Sequence, residues 1–228
     1  AVVHDGDIVP GLAIANPPPE AALANIAEIH AAGASFLKIY EMVTPEVFAA
    51  IVEEAGARNL PIDGHVPLSM RARDVAPQVQ SLEHLRNYEM DCVEDPELWL
   101  ATRQAELANV ANEPGNVLRS RLHALQRLTA ITNEDPAVCA ETTEALKATI
   151  TVPTLRMNSM DLNVPFDRDD FDQAMDLIPT SVSAEWRNAR DAMAASEEPV
   201  DTTFAEWSLR RTGELHAAGA PIAAGTDT

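Results

Sequence analysis

Basic residues are scarce in this chain. Sixteen Lys and Arg stand against thirty-six Asp and Glu, a formal net charge of −20 at pH 7. Such a surface repels phosphates and anionic lipid head groups, which argues against nucleic-acid and membrane-surface partners. No run of about 18 apolar residues occurs, so no segment reads as a bilayer span. Cysteine is nearly absent: Cys92 and Cys139 are too few for a disulfide framework, and neither has another Cys at metal-ligand spacing. They can form one bridge, but spacing alone favours two unlinked thiols. The chain opens Ala1-Val2-Val3-His4 with neither an initiator Met nor a basic-then-apolar leader. The compartment stays open: cytoplasm or, with a leader further upstream, periplasm or secretion.

What is present is core-forming. Hydrophobic residues make up 46% of 228 residues, too many for a disordered acidic tail and enough for one ordinary domain or two small ones. After Pro17-Pro18-Pro19, the residues Leu23, Ile26, Ala27 and His30 fall on one helical face, and Gly33 supplies a C-terminal stop. Ser35–Tyr40 reads as a short buried strand, Thr44-Pro45 as a helix start with a hydroxyl N-cap, and Leu60–His65 as the next strand. A weaker helix near 70–79 and a strand at Ser81–His84 continue the alternation, which predicts parallel βα units. Residues 89–150 break the rhythm with helical segments near 95–110, 116–130 and 136–149. A strand returns at Thr151–Leu155, residues 156–200 are mixed and acidic, and a helix from about Thr203 to Ala218 leads into Pro221–Asp227. His30–Ala34 recurs as His216–Ala220, each time where a helix ends and a strand begins, the mark of one αβ corner built twice.

Four polar residues end apolar strands: Lys38, His65, His84 and Asp227. Burying such groups without partners is costly. Taken singly, a strand-end His is more often a satisfied core residue, an Asp after Gly-Thr a helix cap, and a Lys a rim residue. Together, at the ends of successive βα units, two imidazoles, a carboxylate and a lysine are donors of the kind a borderline metal such as Zn²⁺ uses.

Phe36-Leu37-Lys38-Ile39-Tyr40, Gly64-His65-Val66-Pro67, Ser81-Leu82-Glu83-His84-Leu85 and Ala218–Thr228, with Val152-Pro153-Thr154-Leu155 before the last, resemble the amidohydrolase superfamily in its imidazolonepropionase-like and prolidase-like branch. The resemblance implies an α/β fold, an incomplete (β/α)8 TIM barrel holding roughly strands three to eight over 1–228, with a helical insertion at 89–150 after strand six and another after strand seven. It implies a metal-dependent hydrolase cleaving a C–N bond of a small amide or dipeptide. Lys38 is then a carboxylated bridge between two Zn²⁺ ions, with other divalent metals fitting the same ligands. His65 and His84 are metal ligands, and Asp227 is both ligand and catalytic proton shuttle. The insertions roof the mouth, and Tyr40, Arg86, Tyr88, Arg156 and Trp186 are candidates for substrate contact, Arg86 and Tyr88 foremost, although packing or surface roles compete for each. Homo-oligomers are compatible.

The sequence departs from that pattern in having no His-x-His pair among its six histidines, and in stopping one residue after Asp227. The expectation is therefore an internal piece of a longer protein, inactive alone. Two readings compete. One is a mononuclear deaminase or cyclic-amide hydrolase of the same superfamily, disfavoured because Leu68 stands where its catalytic Glu belongs. The other is a non-catalytic decayed barrel; a helical protein with coincidental His and Asp is weaker still.

Overall fold

The computed structural model describes residues 2–5 and 14–15 through their backbone, and residues 18–108, 114–162, 168–196 and 199–227 with their side chains. Pro17, the end of the helix expected to reach 110, and Thr228 lie outside the described residues.

Side-chain alternation decides the layering. In β3 (Leu37–Ile39), β4 (Ile62–Gly64) and β5 (Ser81–Glu83), Leu37, Ile39, Ile62 and Leu82 turn to one face and are buried. Lys38, Asp63 and Ser81 lie side by side on the other face, in register, with Glu83 two residues beyond Ser81. These strands join β1 (Val2–Asp5), β2 (Ile14–Ala15) and β6 (Ile150–Val152) in one parallel sheet of order β2-β1-β3-β4-β5-β6. Ile222 adds a single parallel bridge to Thr151 beyond β6. From β1 through β3 to β6 the neighbours follow chain order, and β2 lies outboard. The expected strand after Pro221 shrinks to that one bridge, held by Thr151 N–H to the Pro221 carbonyl and Ala223 N–H to the Thr151 carbonyl.

Parallel pairing requires crossovers. Helix α1 (Pro19–Ala31) leads into β3, and α2 (Pro45–Arg58) carries the chain from β3 to β4. Thr44 Oγ1 caps α2 by accepting from Val47 N–H, and Val47, Phe48, Ile51 and Ala55 bury its apolar stripe against the sheet. Between β4 and β5 the expected long helix is only α3 (Ala72–Val75) followed by a 3-10 turn at Ala76–Gln78. Pro77, which has no N–H to donate, interrupts it.

Helices α4 (Pro96–Ala108), α5 (Gly115–Thr132) and α6 (Pro136–Leu146) occupy the segments expected to be helical between 89 and 150. The segment read as mixed holds α7 (Leu155–Asn158), α8 (Phe171–Met175) and α9 (Thr180–Ala195), and α10 (Thr203–Ala217) closes the described chain's helices. The repeated corner is the same hydrogen-bonded cap twice. Ala34 N–H bonds the Ile29 carbonyl and Ala220 N–H the Leu215 carbonyl, both at 3.0 Å, with Gly33 and Gly219 both at φ 91°.

The two cysteines require a correction. Cys92 and Cys139 form a disulfide that ties the chain after β5 to α6, 47 residues on. Their partnership is set by packing between distant segments, which spacing does not carry. No described helix is long and apolar enough to cross a membrane.

Candidate metal centre

The polar sheet face and the loops just past it carry the chemistry. Lys38 Nζ lies 2.5 Å from Glu83 Oε2, His84 Nε2 lies 3.4 Å from the same oxygen, and His65 Nε2 lies 3.7 Å from it. Asp227 Oδ2 approaches His84 Nε2 at 3.8 Å from the exposed side. The structure thus brings Lys38, His65 and His84 together around Glu83, a residue the sequence does not single out, with Asp227 beside His84. His65 and His84 meet edge to face with ring centroids 4.7 Å apart, and the Tyr40 ring packs 4.2 Å from His65. His65 is 2% exposed and His84 4%.

Backbone shape aims these groups. Gly64 at φ 136° precedes His65, and a Cβ there would collide with the Ile39 carbonyl, so only glycine lets β4 pass β3 this closely. His84, Leu85, Asn87, Thr154 and Asp227 all adopt left-handed conformations, and three of the five belong to the site. Such residues cost about 1–3 kcal/mol each, least for Asn and Asp and most for β-branched Thr. Thr154 gains a contact in return. Its Oγ1 lies 2.6 Å from His84 Nδ1 and 3.3 Å from the Val152 carbonyl. With the hydroxyl donating to the carbonyl, it accepts from Nδ1–H, which leaves the His84 Nε2 lone pair facing Glu83 and Asp227.

Behind His65 lies a residue that sequence reasoning missed. Glu41, 0% exposed, sits with Oε1 3.5 Å from His65 Nδ1 and 3.4 Å from Arg86 Nε. Its Oε2 lies 2.7 Å from Arg119 Nε and 3.0 Å from His123 Nε2. Burial works to raise this carboxyl, but hydrogen bonding and charge from His123 and His65 hold it well below its usual range. Burial also depresses His65 to about 4, with Glu41 opposing, so the ring is neutral at pH 7. At Glu83, burial is outweighed by the neighbouring His84 and Lys38 and by the lysine charge, and its pKa drops to about 2. Arg119, His123 and Arg127 recur at i, i+4 and i+8 on α5, a one-face pattern legible in the sequence.

The substrate-contact candidates divide. Tyr40 borders His65, and its hydroxyl accepts a 2.8 Å bond from Arg119 Nη1. Arg86 faces Glu41 and a neighbouring cavity. Tyr88 is corrected: it is 1% exposed in the apolar core with its hydroxyl 3.4 Å from Thr151 Oγ1, and burial raises its pKa. Left-handed residues at 84, 85 and 87 bend the chain just before Tyr88, whose ring joins the buried apolar cluster. Arg156 is exposed beside a different cavity, next to Gly225, and Trp186 is 38% exposed on α9.

Among the described residues, His65, Glu83 and His84 offer ligand atoms that all lie within 4.8 Å of one another. Both ring nitrogens of His65 are buried without a well-formed hydrogen bond, Nδ1 3.5 Å from Glu41 Oε1 and Nε2 3.7 Å from Glu83 Oε2. This donor set fits a divalent cation. Cys92, Glu134 and Cys139 also cluster, but there the two sulfurs are spent on each other.

No family model and no curated protein matches the chain. Among solved structures, it superposes on bottromycin amidohydrolase with a TM-score of 0.59 and 21% identity, over 100% of this chain and 45% of that one. It also matches a Xaa-Pro dipeptidase with bound methionine in the active site, at a TM-score of 0.44 and 18% identity, over 97% of this chain and 41% of that one. The first likeness shows a shared fold; the second is too loose to build on. The chain spans less than half the length of either.

Proposed function

We propose that the chain carries a metal-binding hydrolase site that cleaves an amide or peptide bond with water, on the wall of a partial (β/α)8 barrel. The observation that carries this reading is the convergence of ligand atoms: a buried neutral His65 whose Nε2 makes no hydrogen bond, and a His84 lone pair turned toward two carboxylates. Each buried unmade bond costs about 1–3 kcal/mol, and lone pairs facing carboxylates repel. A cation among them relieves both. The fold shared with bottromycin amidohydrolase agrees with this chemistry.

Here His65, His84 and Glu83 hold the ion, and Zn²⁺ is favoured by the ligand types, with other divalent metals fitting the same set. A bound ion supplies Lewis acidity that lowers the pKa of water to about 7. The chain's own residues do the rest. Thr154 fixes the His84 tautomer, and Glu41 orients His65 through Nδ1. Asp227, exposed at the rim, accepts a proton at Oδ2 and returns it to the leaving amine. Tyr40 walls the site beside His65.

Two versions differ at Lys38. In the binuclear version the amine of Lys38, once carboxylated, would supply ligand oxygens for a second ion. In a mononuclear version Glu83 would be a ligand, and Lys38, which pairs with it, would balance its charge. Zn²⁺ titration with a competing chelator, paired with metal analysis, tests the site. We expect at least one ion per chain, with affinity falling at least tenfold in His84→Ala. Unchanged binding in a His65→Ala/His84→Ala double variant overturns the site. Two ions per chain and a CO2-dependent mass increase on Lys38 support the bridge; one ion, lost in Glu83→Gln, supports Glu83 as the ligand.

A further inference from the structure

A cavity of about 530 Å³ is bordered by Arg86, Arg119, His123 and Arg127, three of which contact Glu41, the buried neighbour of His65. We propose that this cavity binds a carboxylate group of the substrate. The inference rests on the hydrolase reading for calling that molecule a substrate; anion binding itself does not depend on turnover.

The charge inventory carries it. Three guanidiniums border the cavity with side chains only 14–20% exposed. Two carboxylates lie buried behind them. Glu41 takes Arg86 and Arg119 through their Nε atoms, and Glu89 takes Arg127 Nε at 3.5 Å. His123 adds no negative charge, and burial depresses its pKa. Among the buried groups alone, three guanidiniums face two carboxylates. Arg103, 1% exposed and bonded only to neutral Gln126 and Asn87, enlarges the excess from below. Asp161 and Asp201 stand at the rim, exposed, where water screens them.

Geometry agrees with charge. Because each arginine turns Nε backward to a buried carboxylate, its terminal nitrogens are left for other partners. Arg119 spends Nη1 on Tyr40 and Arg127 spends Nη2 on His123, whereas neither terminal nitrogen of Arg86 has a hydrogen-bond partner among the described residues. Arg127 is also braced over the Phe204 ring at 4.6 Å, a stacking that fixes a guanidinium plane without using its donors. A planar carboxylate is the group that matches such fork-shaped donors. Arg86 lies two residues after His84, and Tyr40 touches both His65 and Arg119. A carboxylate anchored in the cavity would thus lie one side chain away from the metal cluster. The site selects amides that carry an anionic end.

Calorimetry on the metal-free chain at low salt tests this with two matched probes, N-acetylglycine and its neutral amide. The expected result is at least tenfold tighter binding of the carboxylate, weakened at least tenfold in Arg86→Gln and more by Arg127→Gln added to it. Equal affinity for the two probes overturns the proposal, and this comparison needs no variant to fold. Binding of inorganic phosphate more tightly than N-acetylglycine also overturns the carboxylate assignment. The two readings can fail separately. Metal-dependent cleavage of neutral and anionic amides with equal KM sinks the subsite and leaves the hydrolase standing. Carboxylate-selective binding with no cleavage by the metal-loaded chain does the reverse.

Discussion

Glu41→Gln removes one negative charge from a position with no water to replace it. The substitution keeps the side-chain shape, but the carboxamide brings an NH2 donor to a place where every neighbour donates or holds a positive charge. Arg119 Nε at 2.7 Å and Arg86 Nε at 3.4 Å lose their counter-ion, and His123 at 3.0 Å loses its acceptor or keeps it at the expense of Arg119. Breaking a buried pair by neutralising one member costs about 3–5 kcal/mol. Relief of the carboxylate's own desolvation offsets part of that, and we expect a net loss of about 3 kcal/mol. With a urea m-value of roughly 3 kcal/mol/M, the midpoint falls by about 1 M.

The pH dependence gives the sign. The folded Glu41 pKa lies below the unfolded value, so its stabilisation is fully present above about 4.5 and is lost only as pH falls further, through the folded value. The gap between the unaltered chain and Glu41→Gln, read by far-ultraviolet circular dichroism in urea, is therefore constant from pH 7 to 5. A variant as stable as the parent at pH 7, or a gap already shrinking between pH 7 and 5, refutes the account of Glu41 as an ionised hub.

Other outcomes follow from single positions. The metal-free chain loses up to about 3 kcal/mol as pH falls from 6.5 to about 4, because unfolded His65 binds a proton that the buried ring refuses until the folded pKa is reached. His65→Gln flattens that slope in urea melts at stepped pH, and an unchanged slope refutes the assignment. Gly64→Ala forces a Cβ into the Ile39 carbonyl at a φ that alanine avoids, so we expect a loss of about 3 kcal/mol or more, visible as a lower Tm, together with weakened Zn²⁺ binding at His65. Reducing Cys92–Cys139 releases a 47-residue loop and lowers stability by about 4 kcal/mol, measured as the midpoint shift with and without reductant.

The sequence was most legible where local chemistry and tertiary packing agree. Thr44-Pro45 starts α2 and Gly33 stops the turn after α1 because capping acts over three or four residues. The strand ends were legible because a polar residue interrupting an apolar run stands out. Glu83 is overshadowed in the sequence by its more conspicuous neighbour His84, although period-two alternation sets it on the Lys38 face. The pairing of Glu41 with His123, 82 residues apart, had no local trace. Its α5 half did, in the spacing of Arg119, His123 and Arg127. Helices α7 to α9 were unreadable for a different reason. Their buried residues are few, with Ser183 alone on α9, so tertiary burial imprints little apolar periodicity on them.

The charge pattern links site and surface. A formal charge of −20 repels anionic solutes at long range, yet four of the sixteen cationic residues, Arg86, Arg103, Arg119 and Arg127, gather within one side chain of Glu41 and Glu89. Holding so many guanidiniums away from solvent is costly: burial lowers the pKa of both Arg103 and Arg127, a sign that their charge is under-compensated. Stability alone would be served as well by fewer charges. An anion that enters the cavity lowers that cost at the moment of binding, whereas a neutral molecule leaves it in place. Selectivity for an anionic end then comes from relief of a standing electrostatic penalty, and it weakens with salt at the surface far more than inside the cavity.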